Sequence, residues 1–289
     1  MIKKRIIAGV IVKNGIVVQS IKFKKYLPIG KPEITLENLS RWGADEIILL
    51  NIDKIGDQNF GKFEFLKDAT KNCFVPLTVG GGISSINKAE ELFKLGADKI
   101  SFNSACLTNP KLIENVASKF GNQSLICSID FVKQNGNFYV YDHLNKVIKL
   151  ELCPVKLALE LQERGAGEIL LNSIDRDGTY SGLEIEILKK FDNRLKIPII
   201  IMGGASCSTD FKKTFETNSI NAVCASNIFQ FTEHSISKVK SILSKDFDIR
   251  VNKNLNYESS IFDKKDRLLK KEDLFLNDLL FKKVISEEI

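Results

Sequence analysis

Three glycines in a row, Gly80-Gly81-Gly82, follow one short apolar run, and Gly203-Gly204 follow another at an offset of 122 residues. Glycine lets the backbone come close to an anion, and main-chain N–H groups beside a short hydroxyl or amide side chain can wrap a phosphate. Each glycine run has such companions: Asn103-Ser104 in the first half, Asp177-Gly178-Thr179 and Ser226-Asn227 in the second. One Gly-Gly pair is weak evidence, because turns need glycine anyway. Recurrence with the same Asn and Ser companions is stronger. It makes Gly81, Gly82, Asn103 and Ser104 one candidate phosphate grip, and Gly178, Gly203, Gly204, Ser226 and Asn227 a second. Two matching grips predict a long ligand with a phosphate at each end.

Between the grips stand two carboxylates, Asp130 at the end of Ser128-Ile129-Asp130 and Asp177. A buried carboxylate with a raised pKa can act as general acid or base, or it can simply hold a loop amide. Half-barrel symmetry calls for an opposing carboxylate at the end of the first strand. Ala8-Gly9-Val10-Ile11-Val12 offers Ile11 there. Lys22, Lys24 and Lys25 cluster around Phe23 and Tyr26, as either a solvated loop or a phosphate-attracting lid.

The elements that must position these groups are eight β-branched runs: Arg5 to Val12, Glu46 to Asn51, Val75 to Val79, Lys99 to Phe102, Leu125 to Asp130, Glu168 to Asn172, Ile197 to Met202 and Ala222 to Ala225. Several are apolar throughout, as in parallel strands covered on both faces, and helical patterns fill the gaps. Val75 to Ser84 matches Ile197 to Ser206 without gaps, and Gly43 to Asp53 echoes Gly165 to Asp175. The chain therefore reads as two (βα)4 half-barrel repeats closing an α/β, (βα)8 TIM barrel over residues 1–252. Residues just past each strand then share one face. At the opposite end, Arg5, Glu46, Lys99 and Glu168 begin four strands and could ring the opening as opposite-charge pairs, although charges at such positions are commonly just solvated. Residues 253–289 hold eight basic and eight acidic side chains, with Leu268, Leu269, Leu276, Leu279, Leu280 and Phe281 spaced as in an amphipathic helix. This C-terminal extension is predicted to fold against the barrel or a partner.

Composition sets the outer limits. At 289 residues, with 44% hydrophobic and 27% charged, the chain can bury a large core. No run of about 18 apolar residues and no signal-peptide pattern occurs, which predicts a cytoplasmic protein with no membrane partner. A net charge of +6 suits anionic small substrates and falls short of a nucleic-acid footprint. Six scattered cysteines and two histidines leave little material for a zinc site or a Ser-His triad, so no metal and no cofactor is expected.

Taken together, the residues resemble the cyclase subunit of imidazole glycerol phosphate synthase, the HisF family, a glutamine-dependent amidotransferase (lyase) of histidine biosynthesis. The resemblance runs from Lys4 to about Val251. Its most specific stretches are Lys4 to Ala8, Thr78 to Gly82, Gly96 to Lys99, Gly165 to Leu171 and Ser173 to Thr179. It implies a heterodimer, in which a glutaminase (HisH-like) subunit docks near Asp98 and releases ammonia through the gate of Arg5, Glu46, Lys99 and Glu168. At the other mouth two aspartates would promote cleavage and cyclisation of a bis-phosphorylated substrate. One of these is matched by Asp130. The other falls on Ile11, the expected loop lysine falls on Gln19, the turn reads Asn14-Gly15, and Asn51 stands where the family usually has aspartate. Loss of a general acid or base costs a factor of about 10² to 10⁴.

The expectation is a divergent HisF-like subunit that still accepts ammonia and passes it through the barrel. By resemblance to paralogues of surface polysaccharide pathways, the recipient would be a third protein, a sugar amidotransferase making an acetamidino sugar. One alternative is a true cyclase in which Asp53, or Asp130 alone, covers for Ile11. Another is a scaffold that only activates the glutaminase.

Overall fold

In the computed structural model the described residues are 3–53, 61–191, 194–217, 220–252, 255 and 257–278. Eight parallel strands close into a barrel: β1 (Arg5–Lys13), β4 (Glu46–Asn51), β5 (Leu77–Gly80), β6 (Lys99–Phe102), β7 (Leu125–Gln134), β10 (Glu168–Ser173), β11 (Ile199–Met202) and β12 (Ala222–Ala225). Each pairs with the next, and β12 returns to β1 in the register Arg5↔Ala222, so the ring of eight strands closes on itself. The third and seventh strands begin two residues later than the sequence suggests. Pro76 and Pro198 lie just before them and contribute only carbonyls, to Ile47 N at 2.9 Å and Ile169 N at 3.0 Å.

Period-two alternation divides the apolar residues. Ile6, Ala8, Val10 and Val12 pack outward against the helices, whereas Ile7 and Ile11 join Ile48, Ile126, Leu170, Ile200, Met202 and Cys224 in a separate cluster that fills the lumen. The outer layer includes α1 (Pro32–Arg41), α2 (Leu66–Ala69), α3 (Ile86–Lys94), α4 (Ser104–Thr108), α5 (Pro110–Phe120), α6 (Pro154–Glu163), α7 (Glu186–Lys189), α8 (Ser208–Phe215) and α9 (Ser235–Leu243). Proline at the first turn starts α1, α5 and α6, where a missing N–H costs nothing, and Ser85 Oγ caps α3 by accepting from Lys88 N at 3.2 Å.

Two antiparallel hairpins were missed by the strand pattern. β2 (Ile16–Ile21) and β3 (Lys25–Gly30) extend β1, while β8 (Asn137–Asp142) and β9 (Val147–Lys149) extend β7. The two stand at equivalent places in the half-barrels. Each opens with an Asn-Gly turn in the left-handed region, φ 51° and 72° at Asn14-Gly15, φ 49° and 80° at Asn135-Gly136. The duplication reaches backbone detail elsewhere too. A Cβ on Gly81 would lie 1.9 Å from Asn51 O, and one on Gly203 would lie 2.6 Å from Ser173 O.

The C-terminal segment departs from the expected single helix. Leu268 pairs antiparallel with Phe262, Leu269 N donates to Ile261 O, and among the described residues α-helix in this segment spans α10 (Asp273–Asn277). A turn forms instead because Asp263 accepts from Lys265 N and Arg267 N, which competes with helix at that point. Residues 253, 254 and 256, where the barrel was expected to end, lie outside the described residues, as do Leu279, Leu280, Phe281 and the side chain of Leu276.

Candidate functional site

The N-terminal opening is closed by a ring of ion pairs. Arg5 bridges both acids, pairing with Glu46 and placing Nη2 2.6 Å from Glu168 Oε2. Lys99 Nζ does the same from the other side, 3.2 Å from Glu46 and 2.5 Å from Glu168. The four groups come from β1, β4, β6 and β10, and each side chain is 22% exposed or less. Burial opposes the Arg5 charge, but contact with Glu168 and then Glu46 more than offsets it, and its pKa is raised. Burial likewise pushes Glu168 up, and Arg5 and Lys99 outweigh it to leave Glu168 below the usual carboxylate range. Beside this ring, exposed Asp98 accepts from Leu77 N at 2.8 Å.

Above the ring the lumen holds an apolar cluster, and strand alternation turns the buried hydroxyls of Thr78, Ser101 and Ser128 to the same inner face. Ile11 is 6% exposed and belongs to the same cluster as Ile7, Ile48, Leu170 and Ile200, with Val18, Tyr26 and Ile52 continuing it outward. No proton-transfer group stands at this position. Asp53 Oδ1 accepts from Asn14 N at 2.7 Å and ties the β1–β2 turn, while its Oδ2 is buried without a hydrogen-bond partner among the described residues. Gln19 sits within the hairpin, paired with Leu27.

The structure brings the two predicted carboxylates to the mouth. Asp130 and Asp177 are 5% and 7% exposed. Asp130 Oδ2 accepts from Asn103 Nδ2 at 3.1 Å and lies 3.2 Å from His143 Nε2. Asp177 Oδ2 accepts from Ser20 Oγ at 2.6 Å and Phe23 N at 3.3 Å. Burial holds the Asp177 carboxyl above its ordinary pKa, with the Asp130 charge adding and the Ser20 and Phe23 hydrogen bonds only partly offsetting. Burial, then Asp177 and Asp130, raises the Tyr26 hydroxyl as well.

Both predicted grips stand at strand ends on this face. Gly81 and Gly82 have φ 110° and 61°, next to Asn103 and Ser104 at the start of α4, although the Asn103 amide is turned towards Ser128 O and Asp130. Gly178, Gly203, Gly204, Ser226 and Asn227 line one concavity together with Asp177. Ser226 Oγ and Asn227 Oδ1 are buried there without a hydrogen-bond partner among the described residues. The β2–β3 hairpin leans on this second grip: Asn227 Nδ2 donates to Ser20 O at 2.8 Å, and a Cβ on Gly178 would lie 2.2 Å from Ser20 O. Ser20 and His143 are not singled out by the sequence as site residues, and Phe23 is only as part of the Lys22 to Tyr26 cluster; the Asn-Gly dipeptides flanked by alternating runs are the available signal.

The sequence pattern of the family described as "Histidine biosynthesis protein" matches residues 5–235. The chain belongs to this histidine biosynthesis protein family. Within it the barrel is HisF-like. It is 40% identical over 247 residues to a protein of Campylobacter jejuni provisionally named imidazole glycerol phosphate synthase subunit hisF2, covering 85% of this chain and 97% of the relative. Imidazole glycerol phosphate synthase subunit HisF of Dehalococcoides mccartyi is 36% identical over 252 residues, 87% and 99% of the two chains. The HisF of Chlorobaculum tepidum is 38% identical over 243 residues, 84% and 96%. No helix among the described residues of this HisF-like barrel is long and apolar enough to cross a membrane, and no group of three or more His, Cys, Asp or Glu among them could hold a metal ion.

Proposed function

We propose that this HisF-like barrel is the ammonia-conducting subunit of a glutamine-dependent amidotransferase. A glutaminase docks on the face that carries Asp98 and the charged ring, ammonia enters through that ring, and it leaves at the mouth bearing Asp130 and Asp177. The recipient is a sugar amidotransferase that builds an acetamidino group into a surface sugar. The observation that carries this reading is the place of Ile11 in the lumen cluster, with Ile7 on one side and Val18 on the other. The apolar cluster around Ile11 favours neutral ammonia over ammonium, because desolvating a charge without a partner is costly. A carboxylate at position 11 would do the opposite, and it would also provide the proton transfer that ring closure needs.

The experiment is cyclisation of the histidine-pathway intermediate with free ammonia, run beside an ordinary HisF. Turnover at least a hundredfold lower is expected. Turnover within tenfold would sink the conduit reading and favour a true cyclase, a reading supported by the raised pKa of Asp177 and its shared mouth with Asp130.

A further inference from the structure

The two hairpins are the parts of the mouth that neither the ring nor the grips account for, and they meet. β2–β3 rises from the first half-barrel but is seated on the second: Lys22 N donates to Asp177 O at 2.9 Å, Phe23 N and Ser20 Oγ donate to the Asp177 carboxylate, and Asn227 holds Ser20 O. At its tip the Phe23 ring stacks on His143, with centroids 5.0 Å apart and planes 23° from parallel. His143 lies in the β8–β9 turn of the other hairpin, Nε2 facing Asp130 and the ring edge-on to Tyr141 at 5.2 Å. Lys22 and Phe23 are consecutive non-glycine residues at φ 51° and 56°. Such a backbone is unfavourable in isolation and persists only where surrounding contacts over-determine it.

We propose that His143 is a positioning residue that clasps the two half-barrel hairpins over the mouth, held on one side by Asp130 and stacked on the other against Phe23. While the clasp is shut, Asn227 and Asp177 of the second grip are engaged by the hairpin. A phosphorylated ligand that uses this grip must first displace Ser20 from Asn227, so the clasp controls admission. The inference stands whether the barrel passes ammonia onward or closes a ring, and its test is independent of cyclisation.

The hairpin tip carries its own reporters, because trypsin cuts after Lys22, Lys24 and Lys25. Cleavage at these three bonds is followed by mass spectrometry in the full chain and in the variants Phe23→Ala, His143→Ala, the double variant and His143→Phe. Each alanine variant is expected to speed cleavage about 3- to 10-fold, the range for one aromatic pair. The double variant should be no faster than the faster single, because both remove one contact. His143→Phe keeps a ring against Phe23 and should recover most of the protection. Hydrogen exchange at the Phe23 amide gives a second measure in His143→Ala, where an exposed side chain is replaced and the fold should persist. Cleavage and exchange at the original rates in His143→Ala, or single effects that multiply in the double variant, would overturn the proposal.

Discussion

Glu168 is shared between two cations, with Lys99 Nζ at 2.5 Å and Arg5 Nη2 at 2.6 Å, so the loss of either leaves a mostly buried carboxylate with a single cationic partner. Lys99→Met should therefore cost about 1.5–3 kcal/mol in a denaturation titration, the range for hydrogen bonds to a charged group. The same variant tests the route of ammonia. With the glutaminase bound, the share of released ammonia that reaches an acceptor on the far side should change several-fold while the complex still forms. An unchanged yield would favour a scaffold that only activates the glutaminase.

Asp177 at the mouth and Glu168 in the ring predict opposite pH behaviour. Asp177 is raised in the fold, mainly by burial, so ionising it within the mouth costs stability at neutral pH, and that cost is relieved as pH falls through its folded pKa. Asp177→Asn should be more stable than the parent at neutral pH, with the advantage vanishing towards the ordinary aspartate range. Glu168 is lowered by Arg5 and Lys99 despite its burial. Its contribution is present above the unfolded value and is lost as pH falls through the lower folded one. Glu168→Gln should be destabilised at neutral pH and meet the parent only below the ordinary glutamate range. Urea titrations of the three proteins from about pH 3 to pH 8 decide both signs.

The barrel and the ring were legible because they rest on short-range patterns: apolar runs ending in glycine, a repeat at an offset of 122, and charges at the beginnings of four strands. The Asp130 and Asp177 positions followed from the same strand ends. Ser20, Phe23 and His143 were not legible in that way, since Ser20 meets Asp177 across 157 residues and Phe23 meets His143 only because both hairpins fold back over one mouth. The C-terminal segment differs only ahead of α10, and for a local reason. Leu268 and Leu269 share the helical spacing, yet Asp263 captures the amides of Lys265 and Arg267 and turns the chain.

Ile11→Asp probes the lining directly. The substitution removes a side chain that is 6% exposed and packed among Val18, Ile7 and Met202, and it leaves a carboxyl in apolar surroundings. The expected loss is about 3–5 kcal/mol, against about 0.5–1.5 kcal/mol for Ile11→Val. A loss below about 1 kcal/mol for the aspartate would mean that water reaches this position and that the cluster around Ile11 is not dry.

The C-terminal segment is fastened at a helix start. Asp266 accepts from Ser208 N and, at 2.6 Å, from Ser208 Oγ, at the first residue of α8, four residues past Gly204 of the second grip. A carboxylate there satisfies an amide that the helix leaves unpaired and complements the positive end of its dipole. Asp266→Ala should cost about 1 kcal/mol and lower the melting temperature by about 2–4 °C. The Ser208 amide should lose hydrogen-exchange protection while the lumen strands keep theirs. Further along, Tyr257 OH meets His234 Nδ1 and its amide donates to Ser241 Oγ at 3.1 Å, so protection at Tyr257 should survive the substitution. Loss of protection at both Ser208 and Tyr257 would show that the segment detaches as one unit and that Asp266 is its main anchor.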